Sequence, residues 1–355
     1  MSERKLLRLE SIPAYQNKAY ATADEARACV RGDLVLAQDA ASGLVHNSVF
    51  DPGLLAYDAS YQNEQGNSPA FRAHTGAVLA IIDRHFTATP VLEIGCGKGR
   101  FLDAMLAAGH DARGVDAAYE GDSERVIRSD FHPGLGLRSE ALVMRHVLEH
   151  IPSPHAFLSM VLDANGGRGR IYIEVPCLDW ILARKAWFDL FYEHVNYFRL
   201  DDFDRMFERV LDSGHLFGGQ YLFVVAELAS LRDPAQAPGA PRTATLPDGF
   251  FASLDRCASV AADGRCSAIW GAAAKGVMFA HHMQARGALP ALAIDINPAK
   301  QGSFLAGSAL PVLPPEEAIA RLGPAPRIFV MNSNYLAEIR AAGGADADYI
   351  EVDQP

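Results

Sequence analysis

The chain lacks the features that mark several large classes of protein. Its 355 residues hold five cysteines, Cys29, Cys96, Cys177, Cys257 and Cys266, and no two form a C-x-x-C pair. Neither a disulfide framework nor a thiolate zinc site is indicated, because both need paired thiols. The expectation is no metal, with the thiols serving as small buried apolar residues. Positive charge is scarce too: 32 Lys and Arg against 43 Asp and Glu leave a net charge of -11. Contacts to nucleic acid need clustered cations, so this balance argues against a nucleic-acid partner. No apolar run is long enough to span a bilayer, and Met1 to Lys5 are not followed by an apolar signal core. The reading is a cytoplasmic protein with no membrane partner. With 49% hydrophobic and 21% charged residues, the length suits two or three domains with sizeable cores.

Against these absences stands one informative segment, Val91 to Arg100. It reads as a buried strand, a turn containing Gly95, Gly97 and Gly99, and a helix start. Glycines there let a ligand approach the backbone, and the new helix offers free N–H groups. Asp116 follows at the end of a second apolar run, about twenty residues later, where nucleoside-binding sheets carry an acid. Dinucleotide folds use G-x-G-x-x-G, whose helix N-terminus faces a pyrophosphate. Here the glycines are spaced G-x-G-x-G and are preceded by Glu93. That carboxylate would repel a pyrophosphate but suits the cationic amino-acid end of S-adenosylmethionine (SAM).

The string E-x-G-x-G-x-G resembles motif I of the class I SAM-dependent methyltransferases. The resemblance implies that Asp116 holds the ribose hydroxyls. Ser129 and Asp130 would then lie near the adenine amine, with Phe131 on the ring face. Residues 141–151, ending in L-E-H-I, read as the fourth strand and its exit loop, which brings His146 and His150 beside the cofactor. Residues 170–176 are a fifth strand, and residues 220–226 fit the antiparallel edge of such a sheet. Strands alternating with helical segments imply an α/β fold with a doubly wound parallel sheet.

Three parts are expected. Residues 1–75 form a small N-terminal domain with two strands around the turn Ala41 to Gly43. Residues 76–230 form the cofactor domain. The Pro- and Ala-rich stretch 231–245 is a linker, and residues 246–355 form a second, Rossmann-like unit. Its G-A-A-A-K-G turn (Gly271 to Gly276), followed by D-x-N-P-x-K-Q-G (Asp295 to Gly302), completes a resemblance along nearly the whole chain. It is to the three-domain sugar C-methyltransferases that act on nucleotide-linked keto sugars. The E-V-P strand and the E-H-x-x-Y-F block (Glu193, His194, Tyr197, Phe198) resemble that family's active-site signature. The polar stretch holding Tyr57, Tyr61 and Asn63 resembles its cofactor-covering segment. Two departures stand out. Asp39 and Ser42 occupy the places of the usual zinc cysteines, and the Y-H-E-H block reads Phe191, Tyr192, Glu193, His194.

For a carbon acceptor beside a ketone, a base must remove a C–H proton and a donor must hold the enolate oxygen. Histidine titrates near neutral pH, so His194 is the candidate base; a core histidine bonded to backbone is the alternative. Glu193 or Glu174 would orient an imidazole, and Tyr192 would donate to an oxyanion. Lys275, with Ala273, Asn297 and His150, would serve the acceptor, Lys275 meeting a phosphate at its helix N-terminus. The other reading of that turn is close strand–helix packing. An O- or N-methyltransferase of another small metabolite, or a non-catalytic SAM- or nucleotide-binding protein, remain alternatives. The chain is read as a monomer or small homo-oligomer.

Overall fold

The computed structural model describes residues 3–55, 66 and 68–354. Tyr57, Tyr61 and Asn63 lie outside the described residues. The described chain forms three sheets. The central one has seven strands, in the order Val210–Leu216, Tyr221–Glu227, Arg170–Pro176, Ala141–Arg145, Val91–Ile94, Ala112–Val115 and Val126–Ile127. The last five run parallel, and the first two add antiparallel.

Successive side chains on a strand point to opposite faces, so each strand feeds two cores. Ile171, Ile173 and Val175 join one apolar cluster, whereas Tyr172 joins the other. Glu174 shares the face of Tyr172, two residues on, and there meets the helix Pro69–Phe86. Ser68 starts that helix by accepting a bond from the Phe71 N–H (3.2 Å), with Pro69 in the first turn where no N–H is needed.

The sheet corrects one expectation. Tyr221–Glu227 is antiparallel but is not the edge; Val210–Leu216 lies outside it. The outer strand alternates half-buried and exposed residues and carries Asp212, Ser213, Gly214 and His215, so it has no apolar run to mark it.

The first sheet contains a strand that apolar patterning does not reveal. Glu3–Pro13 pairs antiparallel with Arg31–Asp39, which pairs with Val45–Asn47, and the two-residue strand Asn196–Tyr197 closes the edge. Where paired cysteines were missing, the Asp39 Oδ1 accepts bonds from the Ala41 N–H (3.0 Å), the Ser42 N–H (2.7 Å) and the Ser42 hydroxyl (2.8 Å). These bonds hold the Asp39 carboxyl below its usual range although burial opposes them. The Arg205 guanidinium adds bonds to the carbonyls of Ala41, Ser42, Pro234 and Gly239. The turn is therefore closed by the Asp39 carboxylate and two buried cations, since Arg199 also donates to the Gly43 carbonyl (3.1 Å). Replacing Asp39 by Ala is expected to lower stability by about 1 kcal/mol, the net worth of a local side-chain-to-backbone cap. Urea unfolding followed by far-UV circular dichroism would measure it.

The third sheet is all parallel, in the order Val312–Leu313, Leu292–Ile294, Ser267–Trp270, Arg327–Val330 and Asp348–Glu351. The helix Ala274–Ala285 follows Ser267–Trp270 and packs on residues Trp187–Asp189 of the central part. One apolar cluster draws residues from all three sheets and also includes Trp187 and Phe279. No helix among the described residues is long and apolar enough to cross a membrane.

Candidate active site

The glycine turn lies at the carboxyl end of Val91–Ile94. Gly95, Gly97 and Gly99 all have left-handed backbone, with φ of 76°, 54° and 78°. At Gly95 a Cβ would also come within 2.3 Å of Val147 Cγ2. At Gly97 a Cβ would meet nothing within 4 Å, so this turn faces open space. The Gly97 N–H donates to Asp116 Oδ2 (2.7 Å), and Asp116 Oδ1 accepts from the Ala118 N–H (2.8 Å). The acid at the end of the second strand is thus tied to the glycine turn.

Glu93 is buried, and its Oε2 has no hydrogen-bond partner among the described residues. Burial pushes its carboxyl up to about 8; Asp116 and Asp103 add to the effect, and Arg145 opposes it. A neutral, orphaned carboxyl next to an open glycine turn is ready to take a cationic group. Asp130 is exposed, Ser129 donates to the Asp130 carbonyl (2.9 Å), and Phe131 is half-buried against the core.

A second cluster gathers where Ala141–Arg145 and Arg170–Pro176 end. Glu174 is its centre and is fully buried. It accepts from His74 Nε2 (2.8 Å), from Arg145 Nε (3.0 Å) and from the Tyr172 hydroxyl (2.8 Å). Burial would raise its carboxyl, but Arg145, His146 and His74 outweigh that and hold it well below the carboxylate range. Arg145 also lies over the Phe101 ring, 4.3 Å from its centroid.

His146 has left-handed backbone, φ 53°, and its N–H donates to the Glu174 carbonyl (2.9 Å). Its ring has a carboxylate at each nitrogen: Nδ1 is 3.3 Å from Glu149 Oε1, and Nε2 is 3.1 Å from Glu174 Oε1. A neutral imidazole has one donor and one acceptor nitrogen, so this placement suits the cation. Burial works against the charge, yet the two carboxylates push the ring up to about 9.

His194 is brought to this cluster by main-chain lacing. The Val195 N–H donates to the Glu149 carbonyl (2.8 Å), and Asn196 Nδ2 donates to the Ile151 carbonyl (2.7 Å). The ring is buried between Phe191, 4.0 Å between centroids, and His150, 5.0 Å. Desolvation, followed by the neighbouring His150 and His146, holds it well below its ordinary value, so it is neutral. His150 Nδ1 donates to the Glu193 carbonyl (2.8 Å), which leaves its Nε2 for other partners.

Other expected site residues sit elsewhere. Glu193 Oε2 accepts the Gln16 N–H (3.0 Å), tying the block to the segment that follows Glu3–Pro13. The Tyr192 hydroxyl is engaged on both sides by the Asp51 main chain, accepting from its N–H (2.8 Å) and donating to its carbonyl (3.1 Å), so it is not a spare oxyanion donor. Glu174 does orient imidazoles, but those of His74 and His146.

Lys275 is 3.1 Å from Asp189 and lies over the Trp180 ring at 4.7 Å, so its charge ties its helix to the segment 180–189 rather than standing free at the turn. At Gly276 a Cβ would come within 2.0 Å of the Gly271 carbonyl, so close packing is a sufficient reason for glycine there, and Ala273 is half-buried at the start of the helix Ala274–Ala285. Asn297 is buried, accepts the Ala299 N–H (3.0 Å) through Oδ1, and leaves Nδ2 without a partner among the described residues.

The residues not assigned from sequence are Glu149, His74, Arg145 and Tyr172. The crowding of Arg145, His146, Glu149 and His150 at one strand exit was a visible signal, but its direction was not. Two groups have donor spacing compatible with a cation: His74, His146 and Glu174, and Glu149, His150 and His194. In the first, Arg145 and Tyr172 already bond the carboxylate.

Comparison with known proteins bears on this geometry. Residues 67–210 match the family described as a methyltransferase domain, and residues 252–345 match the C-methyltransferase C-terminal domain. The chain is 26% identical to the C-methyltransferase NovU of Streptomyces niveus over 294 residues, covering 70% of this chain and 67% of that one. Among solved structures, it is similar to a Burkholderia thailandensis 1,6-didemethyltoxoflavin-N1-methyltransferase with bound S-adenosylhomocysteine. That match is 19% identical, covers 46% of this chain and 79% of the other, and has a TM-score of 0.35. A SAM-dependent methyltransferase from Archaeoglobus fulgidus is 19% identical over 43% of this chain and 94% of its own, with a TM-score of 0.34.

Proposed function

Since this chain is a SAM-dependent methyltransferase whose residues 252–345 match a C-methyltransferase C-terminal domain, we propose that it methylates a carbon beside the ketone of a nucleotide-linked sugar, with His194 as the general base. The observation that carries this reading is a buried, neutral imidazole beside His150 and the Glu149 carboxylate. The three-part division at 1–75, 76–230 and 246–355 belongs to the same proposal, with the last part taking the nucleotide.

SAM supplies a methyl group on a cationic sulfur, already a strong electrophile. The residues here fit it: the orphaned Glu93 Oε2 and the open face of Gly97 suit its cationic end, and Asp116 suits the ribose hydroxyls. The chain's own work is positioning, exclusion of water and transfer of one proton. His194 takes that proton from the acceptor carbon. His146, held cationic between Glu149 and Glu174, keeps positive potential beside the oxygen on which charge develops.

Solvent deuterium exchange at the carbon beside the ketone of a thymidine-diphosphate 4-keto-6-deoxyhexose, measured without SAM, tests the reading. Exchange followed by a C-methyl product on adding SAM supports it. Turnover only with hydroxyl or amine acceptors overturns it in favour of O- or N-methylation. That second reading draws on Phe191 and the engaged Tyr192, which leave the block without a spare aromatic hydroxyl.

Glu93 gives a pH prediction. Its folded carboxyl titrates near 8, so it is mostly protonated at neutral pH before the ligand arrives. A cationic ligand favours the carboxylate, so binding releases a proton. SAM affinity is expected to rise by up to about tenfold per pH unit from pH 6 towards 8 and then level off. Calorimetry in buffers of different ionisation enthalpy should count up to one proton released. Glu93→Gln should remove both the slope and the proton.

A further inference from the structure

His194, once protonated, is a buried cation, and a buried cation needs an opposite charge within reach. Glu193, the adjacent carboxylate in sequence, is turned to Gln16. Glu149 is a different case. It is buried, and neither carboxylate oxygen has a hydrogen-bond partner among the described residues. The His146 cation offsets part of the cost of hiding this charge from water, but a buried carboxylate that accepts no hydrogen bond still calls for a further partner. Its oxygen and one ring nitrogen each of His150 and His194 all lie within 4.8 Å of one another. On its other side it faces His146 Nδ1 at 3.3 Å. The main-chain bond from Val195 to Glu149 sets the two loops in this register.

We infer that Glu149 is the positioning residue of the base: its carboxylate fixes the tautomer of His194, and it balances the imidazolium formed when that ring takes the acceptor's proton. The inference rests on the assignment of His194 as base. In the step it serves, the acceptor C–H bond breaks, an N–H bond forms on His194, and the electron pair stays on the carbon, delocalised to the adjacent carbonyl oxygen. Glu149 itself changes neither bonds nor electron count. After methyl transfer the proton leaves through half-buried His150, so one proton is released per methyl group added. His146 and Glu174 continue the row of alternating charges behind Glu149.

Two measurements test this. In the first, the full chain labelled with 15N-histidine is studied by long-range 1H–15N NMR with no acceptor present. Wild type should show His194 as one neutral tautomer, and Glu149→Ala should show a mixture. An unchanged single tautomer in that variant overturns the inference. In the second, deuterium washout beside the ketone of a deuterated thymidine-diphosphate 4-keto-6-deoxyhexose is timed without SAM.

Glu149→Gln should slow washout about 100-fold and enlarge the substrate isotope effect, while Glu149→Asp recovers most of the rate, as for a group acting on the proton transfer. A Glu149→Gln protein with wild-type washout overturns the inference. So does tight, stoichiometric Zn2+ uptake that Glu149→Ala abolishes, because a metal would then claim these donors. His194→Gln is run beside them. If it washes out like wild type, or if wild type washes out nothing, the proposed base or acceptor falls, and the tautomer measurement alone decides whether Glu149 orients the ring.

Discussion

Replacing His194 by Gln is expected to lower turnover by about two to four orders of magnitude, the range for loss of a positioned acid–base group, with SAM affinity within about threefold of wild type. The two parts of this outcome have separate structural causes. The site proposed for the cofactor is built from Val91–Ile94, Gly95 to Gly99 and Asp116, with the Gly97 N–H bonded to Asp116. His194 belongs to another loop, held over the strand ends by Val195 and Asn196. Gln preserves polarity and much of the volume beside Phe191 and His150, so the loop should stay in place. What is lost is a nitrogen that accepts a proton. Steady-state kinetics with calorimetry of SAM binding would measure both parts. A variant with wild-type turnover would remove His194 from the chemistry.

The largest expected effect on stability is at Glu174. Removing one partner of a buried, hydrogen-bonded charge pair typically costs about 3–5 kcal/mol, because the other charge is left uncompensated. Glu174→Ala should fall in that range, leaving the largely covered Arg145 guanidinium and the half-buried His146 ring without their shared anion. Replacing Arg145 by Met as well should recover part of the loss, since the stranded cation is removed together with its partner.

The pH dependence has a definite sign. The folded carboxyl lies well below its ordinary value. Its stabilisation is therefore fully present above the unfolded carboxylate value, about 4.3, and is lost as pH falls through the folded one. Wild type should lose stability on acidification below about pH 5, and Glu174→Gln should show a flatter acid limb from a lower plateau. Urea titrations between neutral and acid pH, followed by circular dichroism, would record both.

Sequence and structure agree where the information is local. A glycine with φ of 76° beside the Val147 side chain has no substitute, so Gly95 shows itself in any reading of the chain. The parallel strands 91–94, 141–145 and 170–176 are short, buried apolar runs and are visible for that reason. Glu3–Pro13 was not visible, because its mixed residues become a strand only through pairing with Arg31–Asp39. Asp39 and Ser42 stand where the family resemblance expects cysteines. That the Asp39 carboxylate, Arg199 and Arg205 close the turn instead depends on residues far apart in the chain.

The sequence by itself determined the glycine turn at 95–99 and the buried central strands 91–94, 141–145 and 170–176, because backbone sterics and side-chain alternation act between near neighbours. Only the tertiary structure decided which carboxylate serves which histidine. Glu193 adjoins His194 in the chain yet turns to Gln16, and Glu149, far away in sequence, stands beside that ring. Lys275 likewise closes on Asp189. The physical reason is that electrostatic partnership depends on distance and burial in space, and both are set by how loops from different strands pack together.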